Sequence, residues 1–265
     1  MSISVLAETV EPYAVYGNGW AGDASCGAVM SVDSTGALSE VIQNFTYSSS
    51  SGIHGTAFNP NNTYLYSADD SGDSVWTHKI DSTTGEVTKV QQLDSPTSGA
   101  DPRHISVHPS GLYAYVVMEA ANTLAIYSID QTTHELEYTN ISYSLIPANA
   151  TVANYKCSDV AISYSGGYAW ATTRGSNSSI PGYLSGYKIA SNGSIESQLF
   201  VQETSTSLGY SGSITPSPDT DSWFALTDTI ERMVQMYEWD GEKAEVVAKV
   251  DLADGGCCSN VVWYS

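Results

Sequence analysis

The chain has 265 residues, of which only 14% are charged, with 18 tyrosines and 22 glycines. This composition suits many short strands joined by tight turns and argues against long helices or a coiled coil. All-β chains of this length bury a sizeable core and are commonly one domain, here 1–265. The formal net charge of −20, with only nine Lys and Arg, argues against binding nucleic acid or an anionic membrane surface, both of which need clustered basic side chains.

In chain order, the first strand signal is Tyr13-Ala14-Val15-Tyr16. Val29-Met30-Ser31-Val32 follows and runs into Asp33-Ser34-Thr35-Gly36, a hairpin turn. Ala57-Phe58 then meets a turn at Asn59-Pro60, and Tyr64-Leu65-Tyr66-Ser67 returns as a strand. Val75–Ile80 follows and ends at Asp81-Ser82-Thr83-Thr84-Gly85. The same pattern recurs from Ile105 onward. A turn at His108-Pro109-Ser110-Gly111 separates a first strand from Tyr113–Met118, and Thr123–Ile129 leads into Asp130-Gln131-Thr132-Thr133. A third copy runs from Ile162 through Tyr168–Thr173 and Leu184–Ile189 to Ser191-Asn192-Gly193. A fourth runs from Ile214 through Trp223–Leu226 and Met233–Trp239 to Asp240-Gly241. Aromatic and β-branched residues between Gly, Asn, Asp and Pro turns are strand signals.

Each unit is thus a four-stranded antiparallel sheet of about 50 residues, the period of a β-propeller blade. Four copies are complete. The first is partial, beginning at its second strand, and Asn260-Val261-Val262-Trp263-Tyr264 reads as a lone first strand. The two ends are complementary, so the expectation is an all-β propeller with about five blades' worth of strands.

Alignment of the copies exposes two slots. Slot one, just before each first strand, holds His54, Arg103, Ser158 and Gly212. Slot two, just after each second strand, holds Asp70, Glu119, Arg174 and Thr229. A structural position usually keeps one residue type across repeats, whereas these vary in charge and carry two of the three arginines. Functional residues borne on a repeated scaffold have that look. His104 and His108 read as strand and turn residues, and Arg232 as a solvated loop cation. The cysteines, Cys26, Cys157, Cys257 and Cys258, match no zinc-site spacing, and no His spacing suggests a metal. There is no phosphate loop and no Gly-x-Ser-x-Gly elbow. No apolar run of about 18 residues occurs, so no membrane span is expected, and no secretory signal stands in the first twenty residues.

Several stretches resemble one family. They include Pro12-Tyr13-Ala14-Val15-Tyr16-Gly17-Asn18, Gly52-Ile53-His54-Gly55, Tyr64–Asp69, Trp76-Thr77-His78, Pro102-Arg103, His108-Pro109, Met118-Glu119-Ala120 and Asn260–Tyr264. The chain is similar to the fungal carboxy-cis,cis-muconate cyclases, or carboxymuconate lactonising enzymes, seven-bladed propellers of the lactonase group. The resemblance covers essentially the whole sequence. It implies a ring with nearly two more blades ahead of the point where this sequence starts. It also implies a site built from a His, two Arg and a Glu, which match His54, Arg103, Arg174 and Glu119 here.

The reaction implied is cycloisomerisation of 3-carboxy-cis,cis-muconate to a γ-lactone in aromatic catabolism. Arg103 and Arg174 then hold substrate carboxylates, Glu119 or His54 supplies the proton, and neither a metal nor an organic cofactor takes part. The partner is a small polycarboxylate. A cytoplasmic location follows from the resemblance. Six Asn-x-Ser/Thr sequons, at Asn44, Asn61, Asn140, Asn149, Asn177 and Asn192, are partly expected by chance in so Ser- and Thr-rich a chain and matter for one alternative, a secreted or cell-wall glycoprotein that binds without catalysis. Hydrolysis of another lactone, such as a sugar lactone, is the remaining alternative.

Overall fold

The repeated strand–turn–strand sentence leaves each copy one way to satisfy its backbone, which is to fold against itself. In the computed structural model, which describes residues 3–7, 13–20, 25–252 and 259–264, each copy is one antiparallel sheet in chain order. The first sheet contains β1 (Ile3–Ala7), β2 (Ala14–Gly19), β3 (Cys26–Val32) and β4 (Leu38–Thr46). The second contains β5 (Ile53–Phe58), β6 (Tyr64–Asp69), β7 (Ser74–Ile80) and β8 (Val87–Asp94). The third contains β9 (Pro102–Val107), β10 (Tyr113–Met118), β11 (Thr123–Ile129) and β12 (Leu136–Ser144). The fourth contains β13 (Tyr155–Ile162), β14 (Tyr168–Gly175), β15 (Tyr183–Ile189) and β16 (Ile195–Glu203). The fifth contains β17 (Ile214–Pro216), β18 (Trp223–Asp228), β19 (Met233–Trp239) and β20 (Ala244–Asp251). Among the described residues the only helix is one 3-10 turn at Val152–Asn154, and no helix is long and apolar enough to cross a membrane.

Burial follows strand position. The second strands β6, β10 and β18 bury five of their six residues, whereas the fourth strands β8 and β20 bury one of eight each. A strand covered on both faces reads as a continuous apolar run rather than an alternation, which is why Tyr113–Met118 is legible from sequence.

The chain packs as two compact units, 1–116 with 127–140, and 117–126 with 141–265. In the first unit, Ala14, Tyr16 and Val29 form one apolar cluster with Leu65, Ile80 and Val87. Three devices tie successive sheets there. The buried Tyr16 hydroxyl donates to Gly85 O at 2.9 Å, and Tyr66 repeats the contact on His134 O at 3.1 Å. A buried phenol needs such an acceptor, so the hydroxyl accounts for Tyr rather than Phe. Gln43 exchanges two hydrogen bonds with the Val87 backbone, and Gln91 does the same with Leu136. The first strands also lie side by side, β1 against β5 and β5 against β9. In the second unit, Trp170, Leu208, Ile214, Phe224 and Trp239 share a core, β13 lies against β17, and Gln202 donates to Ala244 O.

The hairpin turns follow the predicted chemistry. Asp33, Asp81, Asp130 and Asp240 each accept backbone N–H groups two to four residues on. These bonds stabilise the carboxylate and hold all four carboxyls below their ordinary range. The Thr35 hydroxyl is the largest cause at Asp33, and the backbone of Thr84, Thr133 and Lys243 at the others.

Three expectations need correction. The first copy does not lack its first strand. Ile3–Ala7 supplies it, pairing with β2 from Ile3↔Gly19 to Ala7↔Val15. Asn260–Tyr264 is not a strand. It meets β17 through Thr215 Oγ1 donating to Val261 O and Trp263 Nε1 donating to Thr215 O, and these side-chain bonds form no ladder. Slot one does not precede its strand, because His54, Arg103 and Ser158 all lie within β5, β9 and β13. Cys26 and Cys157 are thiols, exposed and buried respectively, and Cys257 and Cys258 lie outside the described residues.

Candidate functional site

Two groups of side chains gather the predicted residues, one in each unit. In the second unit, Glu119 follows β10 directly and is 8% exposed. Its Oε1 accepts from Arg174 Nη2 at 2.9 Å and from Lys156 Nζ at 3.0 Å. Arg174 also donates through Nη1 to the Tyr210 carbonyl. Thus two slot-two residues, Glu119 and Arg174, are in direct contact. The Arg174 and Glu119 side chains are 12% and 10% exposed, whereas Lys156 is 62% exposed. The first pair is therefore the strong one, and the Lys156 contact is largely screened by water.

The backbone explains the arrangement. In the β13–β14 ladder the register shifts between Cys157 and Val160, a bulge holding Ser158 and Asp159. Lys156 stands directly opposite Arg174, and the slot-one residue Ser158 falls in the bulge. Like charges facing each other across a ladder repel, and Glu119 relieves this by accepting from both. Ser158 is fully buried, and Asp159 bonds Ser213 Oγ and Ile214 N, both at 3.1 Å, so the bulge also fixes β17. Thr229 Oγ1 accepts from Tyr210 N at 2.7 Å, and Gly212 sits at φ +49, a conformation that suits glycine.

In the first unit, the β5–β6 register shifts between Ile53 and Gly55, so His54 occupies a bulge and its side chain is re-aimed. Its ring lies 4.9 Å from the His104 ring and 5.5 Å, edge-on, from Trp20. Trp20 Nε1 donates to Asp70 Oδ2 at 2.6 Å. Slot-two Asp70 thereby holds the indole that packs on slot-one His54. Arg103 is buried in β9 at 5% exposure. Gly55 lets the two strands approach, since a Cβ there would stand 2.8 Å from Arg103 O and from His104 Cα. His108 Nδ1 accepts from Ser110 N at 3.0 Å within its own turn.

Residues 14–257 match the family model described as lactonase, 7-bladed beta-propeller. This chain belongs to that family. The lactonase propellers it resembles include the carboxy-cis,cis-muconate cyclase of Neurospora crassa, 39% identical over 270 residues, covering 99% of this chain and 74% of the relative. Among solved structures of the fold, a putative 6-phosphogluconolactonase from Bacteroides uniformis superposes with a TM-score of 0.76 at 17% identity, over 94% of this chain and 70% of that one. The periplasmic gluconolactonase of Pseudomonas aeruginosa gives 0.78 at 15%, over 94% and 70%. At such identities the two structures speak for the propeller fold alone.

Lys156, Trp20 and Tyr210 escaped the sequence reading. Repeat alignment at the two slots compares only those positions, and Lys156 lies two residues before its slot, opposite Arg174. Trp20, two residues after Asn18 in a stretch resembling the family, was the more findable of the three.

Proposed function

We propose that the chain is a cycloisomerase converting 3-carboxy-cis,cis-muconate to its γ-lactone, 3-carboxymuconolactone. What supports this best is the 39% identity over 99% of the chain to a carboxy-cis,cis-muconate cyclase. The charged group in the second unit suits such a substrate. Arg174 and Lys156 contribute two positive charges and Glu119 one negative, leaving a local excess of +1 on a protein of net charge −20.

In the reaction one carboxylate oxygen forms a bond to an alkene carbon, and the π pair moves toward a conjugated carboxylate as an enolate. A proton then reaches the adjacent carbon. A tricarboxylate becomes a lactone dicarboxylate, so one proton is consumed per turnover. Arg174 stabilises the developing enolate. Its contacts to Glu119 and Tyr210 fix the guanidinium plane, and fixed charge is what electrostatic catalysis needs. A guanidinium has five N–H donors, so donors remain for a substrate carboxylate. Glu119 Oε1 accepts from both cations and so positions Arg174. The proton donor is His54 or Glu119, and Arg103 supplies a second carboxylate contact. Both assignments rest on the family resemblance.

The test is loss of the muconate ultraviolet band with purified protein, with proton uptake followed in a pH-stat. Arg174→Ala and Arg103→Ala should each lower kcat/KM on the order of 100-fold while the proteins remain folded. Absence of turnover by the wild type overturns the activity, and full activity in both variants overturns the residue assignment. The lactonase family match favours lactone hydrolysis as a second reading. Release of acid from a sugar lactone in the same pH-stat tests it.

A further inference from the structure

The loop between β16 and β17, residues 204–213, is built unlike an ordinary connection. Leu208 takes φ +63, Gly209 +60 and Gly212 +49, so three of its residues are left-handed. Leu208 is a non-glycine residue in that region, and its side chain is fully buried among Trp170, Ile214 and Phe224. Strain at Leu208 is held by that anchoring. Gly209 tolerates no side chain, since a Cβ would stand 2.5 Å from Thr229 Oγ1 and 2.7 Å from Asp228 Oδ1. The loop is also bonded to the end of β14, where Gly175 N donates to Ser207 O at 3.0 Å.

All this rigidity displays one side chain. Tyr210 is bonded on both sides of its backbone, with its N donating to Thr229 Oγ1 and its carbonyl accepting from Arg174. Tyr210 is nevertheless 75% exposed. A chain segment anchored by a buried leucine and two confined glycines has no packing reason to hold a phenol in water. Its carbonyl is on the same guanidinium that Glu119 holds. We infer that Tyr210 is a specificity-determining residue that lays its ring against the planar, conjugated portion of an unsaturated polycarboxylate whose carboxylate is taken by Arg174 and Lys156. The inference deepens the proposed cycloisomerase reading and rests on it for the substrate class. Stacking distinguishes a flat diene from a saturated acid of equal charge, which cations alone do not.

Binding is measured by calorimetry on the full chain with cis,cis-muconate, a flat conjugated dicarboxylate, and with adipate, its saturated counterpart. Tyr210→Ala should weaken muconate binding about fivefold and leave adipate unchanged, and Tyr210→Phe should restore muconate binding. Tyr164→Ala, an equally solvated tyrosine at 63% exposure on the hairpin at the far end of β14, is the control and should alter neither. Equal losses for both acids, no loss for either, or no binding of muconate by the wild type overturns the inference. Turnover is read separately: muconate binding sensitive to Tyr210 without cyclase turnover overturns the activity and leaves this contact standing.

Discussion

Glu119 and Arg174 are 55 residues apart in sequence and 2.9 Å apart in space, and both side chains are nearly buried. Removing one partner of such a pair leaves an uncompensated charge, which costs about 3 kcal/mol or more. Glu119→Ala should therefore lower stability by about that amount in urea titration, with Arg174→Ala similar. Lys156→Ala should cost less than about 1 kcal/mol, because its ammonium is largely in water. A double-mutant cycle should give a large coupling for Glu119 with Arg174 and a small one for Glu119 with Lys156. Equal couplings contradict this ranking.

His78 sets an acid limit on the first unit. It packs against Phe45, Tyr47 and Trp76, and burial, helped by Lys89, lowers its pKa from 6.5 to about 4. Between those values the unfolded chain binds the proton and the folded one does not, so stability rises with pH across that window. The contribution is fully present above pH 6.5 and lost as pH falls toward 4, about 3 kcal/mol in all. His78→Phe keeps a ring in place and removes the titration. Its urea midpoint should change less than the wild type's between pH 7 and 4, and an unchanged slope contradicts the assignment.

Asp69 is a fully buried carboxylate with a mechanical task. Its Oδ1 accepts from Gly52 N and Gly72 N, both at 2.8 Å, and its Oδ2 accepts from Trp76 Nε1 at 2.9 Å. Asp69→Ala orphans these donors and should cost at least about 3 kcal/mol, seen as a lower urea midpoint.

Gly186 lies under the Phe200 ring, its cross-strand partner. A Cβ there would be 2.4 Å from Phe200 Cε1. Gly186→Ala should cost about 1–3 kcal/mol by overpacking, and Phe200→Leu in the same chain should recover part of it. Additive losses in the double variant contradict the clash.

Strands with a repeated turn signal were legible. Tyr113–Met118 and Thr123–Ile129 fall where expected because both are apolar runs ended by Gly, Asn or Asp. Ile3–Ala7 was not, since it shares no turn signal with the other first strands. In the candidate site, charge variation across repeats pointed to Glu119 and Arg174, which do meet. The same comparison missed Lys156 and Tyr210. The first lies two residues before the compared slot, and the second is exposed by a left-handed loop that is not written in residue type.

Gln43 and Gln91 each grip the main chain of the next sheet rather than any side chain. A grip of that kind accepts every residue except proline at the receiving position. A duplicated blade inserted between two others would find a ready-made latch on one side and offer one on the other, with no compensating mutation. Gene-level copying of this module therefore meets little resistance at its outer edge.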